Sequence, residues 1–225
     1  MKLSKFILIC FVSGLVSGTC GLAQVQIHEP ATPVRQMNYN AEHIAAAETA
    51  MWRAYYSKDR IAGKIRLGML LTQLLQEQFE LKQFEATPIA YLLSSSAMLF
   101  KQGKYDAALP PLKEAYTDIK KYTSLNFDPE KVAKADLKWW VARRSKPRKS
   151  PEVIGQDITH LYELIYGHSH QGFTDAGLLR AKAMQLRDVG QDKADWEKIE
   201  KLLVASWKAM QCGIENRQSI NNKAR

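Results

Sequence analysis

The chain has 225 residues and a formal net charge of +9, and 46% of its residues are hydrophobic against 24% charged. This composition is typical of globular proteins and excludes the disordered, collagenous and coiled-coil classes. A chain of this length can bury a sizeable core, either as one domain or as a short array of repeats. The excess of cations favours anionic partners and decides nothing about the fold.

The N-terminus, residues 1–23, has the three-part pattern of a secretory signal peptide: two lysines, a short apolar run and small residues ending at Ala23. The apolar run is about half of the ~20 residues that a membrane-spanning helix needs. A lipoprotein acylated at Cys20 is the alternative, but Ser17 and Thr19 stand where that signal needs a leucine and a Gly, Ala or Ser. We therefore expect an exported protein, periplasmic or extracellular.

The rest of the chain divides into a linker, a helical domain and a tail. Residues 24–38 contain two prolines and no sustained hydrophobic period, which predicts a linker. Residues 39–213 are predicted to form an all-α domain, and residues 214–225 a flexible tail. Apolar residues recur at helical spacing in eight segments of this domain. The predicted helices are 40–57, 60–80, 88–102, 105–122, 129–145, 151–167, 175–189 and 194–212.

Two further patterns refine these helices. The pairs Thr87-Pro88, Asp128-Pro129 and Ser150-Pro151 each offer a side-chain oxygen for a helix start and a proline suited to the first turn. The second helix, residues 60–80, is apolar around most of its circumference, so we expect it to be the buried one.

The turns inside successive helix pairs are evenly spaced, near Lys58, Gly103, Pro147 and Gln191. A period of about 44 residues is in the range of helical-hairpin repeats, which bury their apolar faces by stacking. Eight helices of average length in an ordinary bundle give the same spacing. The sequence therefore predicts four antiparallel hairpins and leaves open whether they form a tandem array or a compact bundle.

The second hairpin carries large and small residues at fixed offsets, namely Leu92, Ser96, Leu99, Ala108, Leu112 and Ala115. In these positions the segment 88–121 resembles a tetratricopeptide repeat. It departs from the motif with Leu92 in place of Trp, Ser95 in place of Leu, and Pro110-Pro111 inside the second helix. The resemblance implies a binding scaffold, and it transfers no ligand-contacting residue.

A dense run of cations occupies the fifth predicted helix and the turn after it: Lys131, Lys134, Lys138, Arg143, Arg144, Lys146, Arg148 and Lys149. Trp139 and Trp140 lie within it about 100° apart on the helix, so Trp140 is expected in the core and Trp139 to be partly exposed or sandwiched between repeats. We interpret this run, with Trp139, as a surface for another envelope or secreted protein or for an anionic envelope surface. A solvated helix face with a solubilising loop is the alternative interpretation, because charge runs of this size are common on protein surfaces. Nucleic acid is not favoured, because no recognised binding motif is present.

Histidines offer the one metal hypothesis. His160, His168 and His170, with Glu163, could supply imidazole and carboxylate ligands to zinc. Neither a Glu-x-x-His nor a His-Glu-x-x-His pattern occurs, and a polar helix face followed by a turn is the alternative interpretation. No cofactor is predicted.

Arg180, Arg187 and Asp188 are the remaining polar group, and we expect them to form buried ion pairs within the last hairpin, where Asp195 and Glu197 begin the next helix. The chain has no nucleophile motif and no phosphate-binding loop, so no enzyme class is supported. We predict an exported, non-catalytic helical protein for binding or assembly. The alternative is a helical bundle that holds a small ligand or metal, with catalysis left open.

Overall fold

The computed structural model describes residues 39–223, apart from the side chains of residue 60 and residues 216–223. The described part is helical without strands, which confirms the all-α prediction. The predicted signal peptide and linker lie outside it. The helices are α1 Ala41–Tyr55, α2 Arg60–Phe79, α3 Gln83–Lys101, α4 Tyr105–Tyr122, α5 Pro129–Arg144, α6 Pro151–Tyr166, α7 Gln171–Gly190 and α8 Trp196–Lys223, with a short 3-10 turn at Gln191–Lys193.

Two of the three predicted starts coincide with observed ones. Asp128 caps α5 by accepting hydrogen bonds from the amides of Glu130 and Lys131. Helix α6 begins at Pro151 as predicted, although the Ser150 side chain makes no capping bond to the backbone. Side-chain oxygens followed by proline therefore mark both helix starts.

The predicted start at Thr87-Pro88 is wrong, because α3 begins at Gln83. The Glu85 carboxylate accepts from the Lys82 amide at 2.8 Å and stabilises an additional first turn. Thr87 lies inside the helix, where its hydroxyl donates to the Gln83 carbonyl at 2.8 Å. Pro88 is exposed, and its position near the N-terminus limits the cost of its missing amide hydrogen.

Two boundaries further along the chain also differ from the prediction. Helix α7 begins at Gln171 rather than residue 175, since the His170 ring caps it by accepting from the Gly172 amide at 3.0 Å. Helix α8 continues past the predicted domain end at residue 213 to Lys223, and Ile214 is buried.

The eight helices form a closed ring. Each helix packs against its neighbours in the chain, and α1 also packs against α8. Tyr39 stabilises this closure, because its hydroxyl donates to the Trp207 carbonyl at 3.1 Å and the two rings meet edge to face at 5.3 Å. Lys208 adds an ion pair to Glu42 at 2.6 Å. The hairpins thus keep the contacts between neighbours that a tandem array has, but close on themselves.

The two ends of the ring differ. The hairpin turns all lie at one end, where the odd-numbered helices finish, and the connections between hairpins lie at the other. Near the second end the ring is filled by side chains such as Ile89, Ile119, Phe173 and Met210, all almost inaccessible to solvent. We call the first end the mouth and the second the closed end.

Helix α2 was expected to be buried all round, but only its inner face is buried and its outer face is exposed. Leu67, Leu74 and Leu75 are buried, whereas Ile61 and Ile65 are 76% and 62% exposed. In a ring each helix has two neighbours and an inner face, so its outer face meets solvent whatever its composition. In the described part of the chain, no helix combines the length and the apolar character needed to cross a membrane.

Candidate ligand cavity

The ring surrounds a cavity of about 280 Å³ that receives side chains from all eight helices. Its lining is mainly apolar and aromatic. One residue from each helix illustrates this: Trp52, Leu71, Leu93, Ile119, Trp140, Ile158, Met184 and Trp207. Apolar walls with a few polar groups are typical of small-molecule sites.

A buried ion pair lies in the cavity wall and joins α1 to α7. The Glu48 carboxylate on α1 accepts a short hydrogen bond from Arg180 on α7 and a second, at 2.8 Å, from the Trp207 indole on α8. Glu48 is only 4% exposed. Burial alone would lower the pKa of Arg180, but the Glu48 charge beside it raises that pKa, so the guanidinium stays charged.

A second buried carboxylate faces the same cavity from α5. Asp136 accepts hydrogen bonds from the Tyr116 hydroxyl and the Trp139 indole, both at 2.8 Å. Burial raises the pKa of Asp136 to about 6, although these donors and the Arg180 charge act in the opposite direction. Burial and the neighbouring Asp136 also raise the pKa of the Tyr116 hydroxyl.

These carboxylates lie deep in the ring. Glu48 is seven residues before the end of α1 at Tyr55, and Asp136 is eight residues before the end of α5 at Arg144. At 1.5 Å of rise per residue both lie roughly 10–12 Å below the mouth. The α2 and α3 walls, which lie between α1 and α5 in the ring, are lined mainly by leucines, together with Ala97, Gln78, Phe79 and Phe100. The cavity therefore has buried charged groups from α1, α5 and α7 and a mainly apolar wall on α2 and α3.

Arginines gather at the mouth. Arg143 donates to Asp188 through two nitrogens, at 2.8 and 2.7 Å, and to the Tyr56 hydroxyl at 2.8 Å. Arg187 lies over the Tyr56 ring, with its guanidinium carbon 3.3 Å from the ring centre. One of its terminal nitrogens is 3.6 Å from an Asp188 carboxylate oxygen. Burial would lower the pKa of Arg143, but its bonds to Asp188 raise it. Arg144, the last residue of α5, is exposed at the mouth, and its guanidinium carbon lies 5.8 Å from the centre of the Phe100 ring.

The structure divides the predicted basic surface between two environments. Lys131, Arg148 and Lys149 are exposed. Lys134 pairs with Glu130 and Lys138 with Asp157, each at 2.7 Å, on the outside of the ring. These five residues keep the expected outward position.

Trp139 and Arg143 face the cavity rather than the outer surface. The Trp139 indole turns inward to bond to buried Asp136, and Arg143 is engaged by Asp188 at the mouth. Both side chains line the cavity, as Trp140 and Arg144 also do. Sequence periodicity assigned only Trp140 to the interior because it assumed a narrow apolar face, whereas the inner face of a ring helix contacts two neighbours and the cavity.

The histidines do not assemble into a metal site. The ring nitrogens of His168 lie 3.1 Å from the Tyr166 carbonyl and 3.0 Å from the Gly213 carbonyl. His170 caps α7, and His160 is exposed on α6. Within residues 39–223 the structure holds no group of three or more His, Cys, Asp or Glu side chains placed to bind a metal ion.

The predicted polar group forms one ion pair within itself, Arg187 with Asp188 at 3.6 Å, and its other ion pairs reach different helices. Arg180 reaches Glu48 on α1, and Asp188 reaches Arg143 on α5 as well as Arg187. Asp195 caps α8 instead, accepting from the Lys198 amide at 3.0 Å. The pairs thus connect α7 across the ring.

Sequence reasoning missed Glu48 and Asp136. A signal was present, since Ile44, Glu48 and Trp52 are spaced four residues apart on one helix face, and Asp136 lies four residues before Trp140. An acidic residue on the apolar face of a helix indicates a buried, partnered carboxylate.

The arrangement can hold an apolar molecule, offer it hydrogen-bonding groups at mid-depth, and present guanidinium groups at the mouth. Comparison of the chain with protein-family models, with curated proteins and with solved structures finds no match.

Proposed function

We propose that the protein binds an apolar small molecule in the central cavity. The observation that carries the proposal is an open interior of about 280 Å³ surrounded by eight helices and lined mainly by aliphatic and aromatic side chains. Protein interiors are ordinarily close-packed, with few voids larger than a water molecule. A space of this size in a fold that packs tightly at its closed end therefore supports a preformed binding site.

The packing around the cavity supports the same proposal. Tight packing would require Leu71, Leu93 and Ala97 to meet the opposite wall, yet these side chains are only partly buried. The Glu48–Arg180 pair and the Asp136 cluster supply rigid polar groups at mid-depth. Apolar walls with a few fixed polar groups bind a ligand by burying it and orient it by hydrogen bonds.

Filling the cavity tests the proposal. Ala97→Phe adds a ring to the α3 wall, and Ala107→Phe, at an exposed alanine of the adjacent helix, is the matched control. We expect the neutral apolar probe N-phenyl-1-naphthylamine to bind the purified protein with one-to-one stoichiometry. Its affinity should fall at least tenfold in Ala97→Phe and stay unchanged in Ala107→Phe. Equal probe binding by the two variants would refute the proposal.

A second candidate function is docking of an acidic partner protein, or of an anionic envelope surface, on the basic stretch. Its support is the exposure of Lys146, Arg148 and Lys149 together in the turn after α5. Reversing the charge of these three residues should abolish cross-linking of a partner from the native envelope fraction while far-ultraviolet circular dichroism stays constant. Retention of the partner by the variant would exclude this surface.

Export and the tetratricopeptide-like origin of the second hairpin also stay proposals. Close contact of α3 and α4, where the buried Ser96 hydroxyl donates to the Ala108 carbonyl at 2.7 Å, supports the second. N-terminal sequencing of protein recovered outside the cytoplasm tests the first, with Gln24 as the expected first residue. A mature chain that begins at Met1 would contradict cleavage.

A further inference from the structure

We infer that the ligand of the cavity is an anionic amphiphile, a long aliphatic chain with one terminal anionic group such as a carboxylate or phosphate. The aliphatic chain would lie inside the ring and the anionic group at the mouth. This inference rests on the proposed function, since it names the chemical class of the molecule that the cavity takes.

The charges at the mouth support an anionic group there. Arg143 and Arg187 lie at one carboxylate, Asp188, whose two oxygens both accept from Arg143, and Arg144 is the next residue along α5. The cations of the cluster therefore outnumber its anions.

The other acidic residues near this end lie at helix starts and in turns, and in the described part of the chain none of them forms an ion pair with Arg143, Arg144 or Arg187. Asp192 pairs with Lys58 at 3.2 Å. Asp59 and Asp195 accept backbone amides as caps of α2 and α8. The arginine cluster itself has three cations against the one carboxylate of Asp188, and this local excess of positive charge attracts an anion.

Arg144 is best placed to contact the anionic group. It lines the cavity yet is exposed at the lip, and it lies against Phe100 and beside Tyr55. A guanidinium has five N–H donors in a planar fork that matches the oxygens of carboxylate and phosphate. Arg143, by contrast, is held by Asp188 and Tyr56 and positions the cluster.

The interior favours a long aliphatic chain. The positive charge of Arg180 is matched there by Glu48, so the deep part of the cavity offers no unbalanced cation to a charged group. The α2 wall is lined from Leu67 to Phe79 and includes four leucines. Twelve residues of helix correspond to about 18 Å, a length that suits a long chain rather than a short organic acid.

Three ligands of equal chain length distinguish the contribution of the anionic group from that of the chain. They are dodecanoate, dodecyl phosphate and methyl dodecanoate, and each is used to displace N-phenyl-1-naphthylamine. We expect the two anions to displace the probe at concentrations at least tenfold below that of the neutral ester. High salt should weaken the binding of the anions and leave that of the ester unchanged, because the site is exposed.

Two variants on α5 locate the anionic group. Arg144→Gln removes the charge at the mouth, and Lys131→Gln removes one exposed charge near the other end of the same helix. We expect Arg144→Gln to lower the affinity for dodecanoate about fivefold to tenfold, with Arg144→Lys recovering part of the loss. Lys131→Gln should have no effect, and the ester should bind equally to all variants.

The outcomes distinguish the two proposals. If the ester binds as tightly as the anions, or if Arg144→Gln and Lys131→Gln behave alike, the inference about the anionic group is wrong and the apolar binding function stands. If the probe itself does not bind, or binds equally after the cavity is filled by Ala97→Phe, the proposed function fails and the inference fails with it.

Discussion

Removing one partner of the Glu48–Arg180 pair should destabilise the fold more than breaking any ion pair on the outside of the ring. Glu48→Leu would leave the Arg180 guanidinium, 17% exposed, without its carboxylate and would remove the acceptor of the Trp207 indole. Removing one partner of a buried pair costs about 3–5 kcal/mol, because the remaining charge is stranded away from water. That loss is a large share of the ~5–15 kcal/mol by which a folded domain is stable.

The double variant should behave differently. Replacing both groups, as in Glu48→Leu with Arg180→Met, leaves no stranded charge and fills similar volume, but the buried Trp207 indole still loses its acceptor. We therefore expect a loss of about 1–3 kcal/mol, smaller than that of Glu48→Leu alone. Each single variant should then have a smaller free energy of unfolding than the double variant. The measurement is urea denaturation followed by circular dichroism, with the linear extrapolation applied to all four proteins.

A control shows whether burial is the cause. Glu197→Gln breaks an exposed ion pair with Lys201, whose side chains are 80% and 74% exposed, and should leave the urea midpoint unchanged. If both single variants at the buried pair are as stable as the double variant, the argument that this pair holds α1 to α7 is wrong.

Two further predictions concern packing and pH. Gly177→Ala should lower the free energy of unfolding by about 1–3 kcal/mol, because its Cβ would lie 2.5 Å from the Gly155 carbonyl oxygen where α6 and α7 cross. Gly68→Ala, with nothing within 4 Å, should instead raise it by about 0.5–1 kcal/mol in the same urea assay. Folding raises the pKa of Asp136 from 3.8 to about 6, so the native state binds the proton more tightly and the free energy of unfolding falls as pH rises through that window. The fall is at most about 3 kcal/mol. Urea midpoints from pH 4 to 7 should show it in the native protein and lack it in Asp136→Asn, and identical pH profiles would contradict the assignment.

Local patterns were sufficient to predict the helices and the hairpins. The Asp128-Pro129 start and the even spacing of the turns depend on neighbours in the chain, and both reappear in the structure. Closure of the ring could not be predicted, because it depends on the small rotation between successive hairpins. The contact of Tyr39 with Trp207 joins residues 168 positions apart and leaves no periodic trace in the sequence.

The candidate site was predicted less well for a related reason. Glu48 and Asp136 are isolated acidic residues in ordinary helices, and only their position on an apolar face marks them. The run of basic residues was recognised, but its division between the outer surface and the mouth depends on where α5 ends relative to α7. The exposed Ile61 and Ile65 show the same limit, since composition alone does not indicate which side of a helix faces the interior.

Ring closure also has a consequence for topology and folding. Because α8 packs beside α1, every helix has two neighbours, and no hairpin is terminal in space. An open stack can gain or lose a unit at either end, whereas a ring of this kind has a fixed number of members. The order of the helices around it does not depend on which loop is opened, so a circular permutant that joins α8 to α1 would retain the same neighbours. In the native chain the α1–α8 contact closes the longest loop. In the permutant the same two helices would be neighbours in sequence, so the contact order of the fold would be lower.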